Sequence, residues 1–239
     1  TIARVEFFNG ATTLGEATTA PYEFIWTSVA AGTHALTARA TDNRGALTTS
    51  AAVTLTADVP PAVALTAPAN NSVFDTPATI VITANASDSD GTVAKVEFFA
   101  GATKLGESAG AAFQFTWANV AAGSYLLTAR ATDNLGLATT SSPVAITVNV
   151  PPVVTVTGPA DHAVFTAPAT LTLTADATDS DGTIARVEFF NGTTKLGESA
   201  APPYQFAWSN LAAGTYTITA RATDNFSAST ASAPMTLRV

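Results

Sequence analysis

The sequence predicts an all-β protein made of tandem antiparallel β-sandwiches, with about seven short strands in each complete copy. Two observations predict this architecture: apolar and polar residues alternate over short runs, and the runs recur with a period of 91 residues. Turn-forming pairs such as Asp90-Gly91 and Asn191-Gly192 separate the runs. No segment has the apolar spacing of a helix, and short strands in this number are typical of two packed sheets.

The repeat sets the domain organisation. Val-Glu-Phe-Phe begins at Val5, Val96 and Val187, and the tryptophans stand at Trp26, Trp117 and Trp208. A period of 91 residues exceeds the roughly 20–50 residues of solenoid units and has the size of a small domain. We predict domain 1 at residues 1–57, domain 2 at 58–148 and domain 3 at 149–239.

The strands of a complete copy follow from the alternation. In domain 2 we predict strands at 62–67, 79–86, 93–99, 103–108, 113–118, 125–132 and 138–148. Within the fifth strand Phe113, Phe115 and Trp117 alternate with polar residues, so they share one buried face. This parity predicts that the tryptophans pack into the core and do not form platforms for sugars.

Domain 1 is predicted to be incomplete. Thr1 aligns with Thr92, so the counterparts of residues 58–91, which carry the first two strands, are missing. We expect Phe7, Phe24 and Trp26 to lose cover, and domain 1 to be unstable alone with bare sheet edges. Two explanations stay open: a longer protein that supplies these strands upstream, or a strand-donating second copy of the chain.

The residues that carry a family resemblance lie within each copy. The string "VEFFNGTTKLGESAAPPYQFAWSNLAAGTYTITARATDN", residues 187–225, resembles the bacterial Ig-like domain family, which occurs in tandem on exported and cell-surface proteins. The resemblance implies Ig-like sandwiches. It also implies a tyrosine corner at Tyr125 and Tyr216, whose hydroxyls bond back to the backbone, with His34 at that position in domain 1.

Acidic turns are the candidate metal sites. In an Ig-like sandwich the second and sixth loops lie at one end, where the interdomain linker also arrives. This gathers six aspartates at two places: Asp88, Asp90 and Asp133 at one, and Asp179, Asp181 and Asp224 at the other. Hard oxygen ligands in this number suit Ca²⁺. An EF-hand is excluded because Phe99 stands where a bidentate glutamate is needed.

A second interpretation of the acidic turns also stays open. Asp and Gly form turns without any metal, since Asp caps nearby amides and Gly adopts positive φ. Mutual repulsion of three close carboxylates favours the calcium interpretation. The sequence alone does not decide between the calcium interpretation and the turn interpretation.

Composition excludes several functions. The net charge is -8 and the ten Lys and Arg are scattered, so we expect no nucleic-acid partner. No apolar run reaches 18 residues, so we expect no membrane-inserted helix. His34 and His162 occupy unrelated positions without catalytic partners, and Glu97 and Glu188 are predicted on a solvated charged face. We therefore predict that the chain is not an enzyme.

The predicted function is structural. Short linkers with a Pro-Pro pair, at 58–61 and 149–152, join the sandwiches, which favours an extracellular or cell-surface stalk, spacer or filament component of a bacterium. The expected partners are neighbouring Ig-like domains of the same longer chain or a strand-donating copy of itself. Alternatives are an adhesive or glycan-binding module that binds a cell-surface glycan or protein through loops or the outward Phe99, and a spacer of a secreted carbohydrate-active enzyme.

Overall fold

The structure, a computed structural model, describes residues 1–110 and 112–239, and this part of the chain forms five β-sheets. Domain 1 contributes a single sheet. Its strands are β1 Ile2–Asn9, β2 Thr12–Ala17, β3 Gly32–Asp42, β4 Leu47–Thr49 and β5 Val53–Ala57. They are ordered β2-β1-β3-β4, and β5 also pairs with β3.

Domain 2 contributes two sheets that face each other. Its strands are β6 Ala62–Ala67, β7 Ser72–Asp75, β8 Ala78–Ser87, β9 Val93–Ala100, β10 Thr103–Ser108, β11 Phe113–Val120, β12 Gly123–Asp133, β13 Ala138–Thr140 and β14 Val144–Asn149. One sheet has the order β10-β9-β12-β14-β7, with β13 on β12, and the other has the order β11-β8-β6.

Domain 3 repeats this plan. Its strands are β15 Val153–Gly158, β16 Ala169–Thr178, β17 Ile184–Asn191, β18 Thr194–Ser199, β19 Tyr204–Leu211, β20 Thr215–Asp224, β21 Ser229–Ala231 and β22 Met235–Arg238. The sheets are β15-β16-β19 and β18-β17-β20-β21, with β22 also on β20. The predicted fold class, all-β sandwiches in tandem, is confirmed.

The strands of domain 2 differ from the prediction in two places. The predicted last strand, 138–148, is two strands, β13 and β14, because Pro143 lacks an amide hydrogen for the ladder. The Ser141 hydroxyl accepts the Ala129 amide and donates to the Ser142 carbonyl at the break. The second difference is β7, a short strand that lies parallel to β14 and was not predicted.

The core of each complete domain lies between its two sheets. In domain 2, Ile80 and Ile82 of β8 and Phe98 of β9 are fully buried in one cluster. On β12 Leu127 is buried and Arg130 is exposed, which agrees with the predicted alternation. Apolar side chains that alternate along each strand therefore close the sandwich from both sides.

The glycine of the Leu-Gly motif has a packing role. A Cβ placed on Gly106 would overlap the ring of Phe115, and Gly197 stands in the same relation to Phe206. The ring lies directly against the backbone of the hairpin, so only glycine leaves room for it. The two sheets of each complete domain meet at this contact.

Domain 1 has one sheet, with no second sheet opposite it among residues 1–57. Residues 1–57, all of which the structure describes, contain no fully buried side chain. The segment 22–29, which corresponds to β11, forms no strand. Phe7, Phe24 and Trp26 line an open groove of about 340 Å³, and Val53 at its edge is 65% exposed.

Candidate functional site: the joints between the domains

The two acidic loops of each complete domain lie side by side, as the sequence predicts. In domain 2 the Asn134 side-chain oxygen accepts a hydrogen bond of 2.7 Å from the Thr92 amide, and the Asn134 amide donates to the Thr92 carbonyl at 3.0 Å. Asn225 and Thr183 repeat both bonds at the same distances in domain 3. Each pair fastens the loop after β8 or β16 to the loop after β12 or β20.

Buried aspartates organise the second of these loops. Asp133 is 3% exposed, and its Oδ1 accepts three backbone amides, from Leu135 at 2.9 Å, Gly136 at 2.6 Å and Leu137 at 2.9 Å. Asp224 accepts the amides of two residues of the corresponding loop. In both aspartates the other carboxylate oxygen, Oδ2, accepts no hydrogen bond from its own loop and is free to contact another residue.

The first loop is partly explained as a turn. Asp88 Oδ1 accepts the Asp90 amide at 3.3 Å, which is the capping that the turn interpretation predicts. The expected positive φ at Gly91 is wrong, because that residue is not among the glycines in the left-handed region. Glycine is needed there for space: a Cβ would overlap the side-chain oxygens of Asn134 and Asp88.

The linkers are hydrogen-bonded to the first loop. The Val59 amide donates to Asp90 Oδ2 at 3.2 Å, and the Val150 amide donates to Asp181 at 3.1 Å. The two resulting joints consist of corresponding residues. Joint 1 comprises Asp58, Val59, Asp88, Asp90 and Asp133, and joint 2 comprises Asn149, Val150, Asp179, Asp181 and Asp224. The structure therefore brings the six predicted aspartates to the joints, three at each.

A ready-made metal centre is not formed at either place. Within residues 1–110 and 112–239, no three acidic or histidine side chains stand in a metal-ligand arrangement. The calcium site stays a prediction. Sequence reasoning placed Asn149 in the linker but missed its bond to Asp224, which joins residues 75 positions apart. It also missed the contact of Asn149 with Asp75, because Asp75 lies on the unpredicted strand β7.

Joint 2 also has an apolar groove. Phe226, from the loop after β20 of domain 3, borders a groove of about 510 Å³ whose other walls include Val73, Tyr125 and Leu126 of domain 2. In joint 1 the corresponding loop residue is Leu135, which is 58% exposed. Since domain 1 has no counterpart of β7, this loop of domain 2 lacks an equivalent surface to face.

The outer face differs from the prediction of a solvated charged surface. Glu97 is 8% exposed and Glu188 is 4% exposed. Lys195 donates to Glu188 at 2.7 Å and Arg221 donates at 2.8 Å, so cationic side chains cover the carboxylate. The hydrogen bond from Lys195 is the main reason that the pKa of Glu188 is lowered, against the opposing effect of burial.

Two of the outward phenylalanines, Phe8 and Phe190, each lie under an arginine side chain. The Arg221 guanidinium stands 5.0 Å from the ring centre of Phe190, and Arg39 stands 4.7 Å from that of Phe8. This is cation–π geometry. Guanidinium groups therefore partly cover the apolar seam that the sequence offered as a binding surface.

The tyrosine corner is present, and His34 replaces it in domain 1. Tyr125 donates to the Ala121 carbonyl at 2.9 Å, and His34 Nε2 contacts the Ala30 carbonyl at 2.8 Å. Nδ1 of His34 contacts the Asn9 amide nitrogen at 2.9 Å, which assigns the ring proton to Nε2. A polar corner contact is therefore kept without the tyrosine.

The tryptophans pack edge-on against these corner residues. The ring centres of Trp117 and Tyr125 are 4.9 Å apart at 78°, and those of Trp26 and His34 are 4.9 Å apart at 84°. Trp117 is half-buried against the core of domain 2, so it is not an open platform for a sugar. His162, by contrast, has a side chain that is 80% exposed, in a loop.

No helix in the described residues has the length and apolarity to cross a membrane.

The family model described as "Bacterial Ig domain" matches residues 1–38, 61–129 and 152–220. The fibronectin(III)-like modules of Clostridium thermocellum CbhA are 30% identical over 74% of this chain and 92% of theirs, with a TM-score of 0.45. A structure of three titin Ig domains, in an E-to-A mutated variant, is 14% identical, with 98% of this chain and 86% of that chain covered and a TM-score of 0.52. The titin likeness shows the fold alone. No curated protein matches. With three matched segments that span most of its length, the chain belongs to the bacterial Ig domain family.

Proposed function

We propose that the chain is a non-catalytic spacer, a stalk or filament component that acts outside the cell or on the surface of a bacterium. The observation that carries this proposal is the construction of the joints. In both joints the first linker amide after Asp58 or Asn149 donates to an aspartate of the next domain. The linker is thereby tied to the body that follows it.

The mechanism is mechanical. Each complete domain is a closed sandwich with its own core. The Pro-Pro pair in each linker fixes φ and disfavours compact conformations at the preceding residue. Together with the amide bond to Asp90 or Asp181, this restricts bending and holds successive domains apart along the chain.

Small-angle X-ray scattering of the full chain tests the proposal. We expect the pair-distance distribution of an elongated particle with little bending between domains 2 and 3. A variant with Pro151 and Pro152 both replaced by Gly should show a shorter mean maximum dimension, because its linker bends more freely. Pro234→Gly, at an exposed residue before β22 and outside both linkers, controls for the loss of a proline and should leave the dimension unchanged. A compact wild-type particle would contradict the spacer function.

The adhesive and glycan-binding alternative has less support. The tryptophans pack against the corner residues and the outward Phe190 lies under Arg221, so neither offers an open aromatic surface. Pull-down on insoluble polysaccharides separates the two functions. Specific retention of the wild-type chain, lost on Trp208→Ala but kept in the equally folded Phe226→Ala variant, would favour glycan binding over the spacer.

A further inference from the structure

The two joints differ at one acidic position. The first linker begins with Asp58, and the residue 91 positions later, at the start of the second linker, is Asn149. The other four positions that define the joints hold the same residue types in both, and joint 2 has in addition a contact to Asp75. The chain thus contains two versions of one junction, with a carboxylate in the first and a neutral amide of the same shape in the second.

In joint 2 the amide closes the junction. Asn149 is 0% exposed, and its Nδ2 donates to Asp224 Oδ2 of domain 3 at 2.8 Å and to Asp75 Oδ1 at 3.1 Å. The Asp224 oxygen that its own loop leaves over is therefore satisfied. A donor placed between two carboxylates removes the cost of burying them.

In joint 1 nothing replaces that donor. Asp58 carries no hydrogen on its side chain when it is ionised. The Oδ2 atoms of Asp58 and Asp133 are buried without a hydrogen-bond partner among the described residues. Within the same part of the chain Asp88 Oδ2 is also buried and unpartnered, as are Asp179 Oδ2 and Asn149 Oδ1 in joint 2, so the joints differ at Asp133, whose counterpart Asp224 has its partner in Asn149. Asp133 is itself 3% exposed, and its Oδ2 corresponds to the Asp224 oxygen that accepts Asn149. The unpartnered oxygen of Asp133 thus points into the junction.

The electrostatics of Asp58 agree with this geometry. Burial raises the pKa of the Asp58 carboxyl above its usual value, and the charges of Asp133, Asp90 and Asp88 raise it further. Carboxylates this close disfavour one another unless a cation or a proton intervenes. No ion pair to any of these four aspartates occurs among the described residues.

We propose that joint 1 binds one Ca²⁺ through Asp58, Asp88, Asp90 and Asp133, and that the Asn149 amide takes the place of the ion in joint 2. Ca²⁺ suits these ligands because it takes six to eight oxygens in flexible geometry, including water. The four carboxylates do not stand in coordination positions beforehand. Ion binding therefore draws them together, and with them domain 1, the linker and domain 2.

Isothermal titration calorimetry of the chelator-treated full chain with CaCl₂ tests the proposal, because the chain supplies its own matched variants. Asp58→Asn converts joint 1 into the chemistry of joint 2, and Asn149→Asp does the reverse. We expect one Ca²⁺ per wild-type chain, at least a tenfold loss of affinity in Asp58→Asn, and a second bound Ca²⁺ in Asn149→Asp. Glu23→Gln, which removes one exposed charge outside the joints, should bind as the wild type does.

Two outcomes overturn the proposal. The first is the absence of Ca²⁺ binding to the wild-type chain at millimolar concentration, in which case a shared proton is left to relieve the carboxylates. The second is unchanged affinity in Asp58→Asn. Thermal unfolding with and without EDTA gives an independent readout, because Asp58→Asn should abolish the Ca²⁺-dependent shift and leave the protein folded. Neither outcome bears on the spacer function, which rests on the linkers.

Discussion

Domain 1 and domain 2 share one sheet almost strand for strand and differ in what covers it. Phe7 pairs with Ala38 as Phe98 pairs with Ala129. The Phe7 ring lies 6.0 Å from Phe24, much as Phe98 lies 6.3 Å from its own stacking partner. Nevertheless Phe98 is 0% exposed whereas its counterpart Phe7 is only half-buried, and Phe24 is 38% exposed whereas its counterpart Phe115 is half-buried. A correct inner face does not make a core until an opposing sheet excludes water from it.

The comparison also shows that a strand is a property of a pair. The motif Pro-Tyr-x-Phe-x-Trp occurs in domains 1 and 3, but residues 22–29 form no strand while β19 does. The difference is β16, whose backbone pairs with β19 from Ala169 to Ala175. Without that neighbour the alternating side chains keep their places, but the backbone groups have no ladder to join.

Supplying the missing sheet should have the largest effect. If residues 58–91 are duplicated directly before Thr1, we expect domain 1 to gain its own cooperative unfolding transition, with a free energy within the about 5–15 kcal/mol of small domains. The transition is measured by denaturant titration of Trp26 fluorescence in a chain with Trp117 and Trp208 changed to Phe. The same insert with serine at the two positions that duplicate Ile80 and Ile82 is the control. Equal behaviour of the two inserts would contradict the comparison.

The second-largest effect is expected from removing one aromatic ring of the inner face, which should affect the stability of domain 2 much more than that of domain 1. Phe98→Ala should lower the free energy of unfolding of domain 2 by about 3–5 kcal/mol, the range for buried aromatic rings. Phe7→Ala should leave the urea unfolding curve of the chain almost unchanged, since its ring already borders an open groove and domain 1 has no transition of its own. Urea unfolding of both variants measures the difference. Losses of equal size would show that domain 1 has a core after all.

Replacing the hairpin glycine by alanine should change stability by a smaller amount, and the change should be a loss in domain 2 but not in domain 1. Gly106→Ala should destabilise domain 2 by about 1–3 kcal/mol, because the added methyl overlaps the Phe115 ring in a closed core. At Gly15 the facing ring, Phe24, belongs to a segment without a strand and can move away. Gly15→Ala should therefore be neutral or stabilise by up to about 0.5 kcal/mol through the unfolded chain. Thermal melts of the two variants test this, and destabilisation by both would refute it.

The smallest effect should be the same in both complete domains, because the outer face is intact in each. Glu188→Gln and Glu97→Gln should each cost about 1–2 kcal/mol, since each removes a charged acceptor, from Arg221 in domain 3 and from Lys104 in domain 2. A lowered pKa means that Glu188 stabilises the fold above its usual value of 4.5 and loses this effect as the pH falls through the folded pKa. Glu188→Gln should thus flatten the acid limb of stability below about pH 4.5. An unchanged acid limb would show that the covered carboxylate does not stabilise the fold.

Sequence reasoning succeeded where a property repeats with a fixed period. The alternation along β12 and the exposed face of domain 1 follow from spacing. The proximity of the two acidic loops follows from the Ig-like topology that the resemblance implies. It failed where a contact depends on a side chain from another strand. Glu97 alternates outward as predicted, but Lys104 from the next strand of the hairpin covers it. The parallel strand β7 has too few residues for any pattern to show.

That short strand has a mechanical consequence. Tension on the chain enters domain 2 near β6 and leaves near Asn149, and β7 lies parallel to β14 between those points. Pulling therefore loads the hydrogen bonds from Ser72 to Asp75 together, in shear, and does not open them one after another. In domain 3 the corresponding segment is joined to β22 by three backbone hydrogen bonds, between His162 and Thr236, Ala163 and Arg238, and Phe165 and Arg238. Under load, both complete domains should therefore resist extension until these bonds break together.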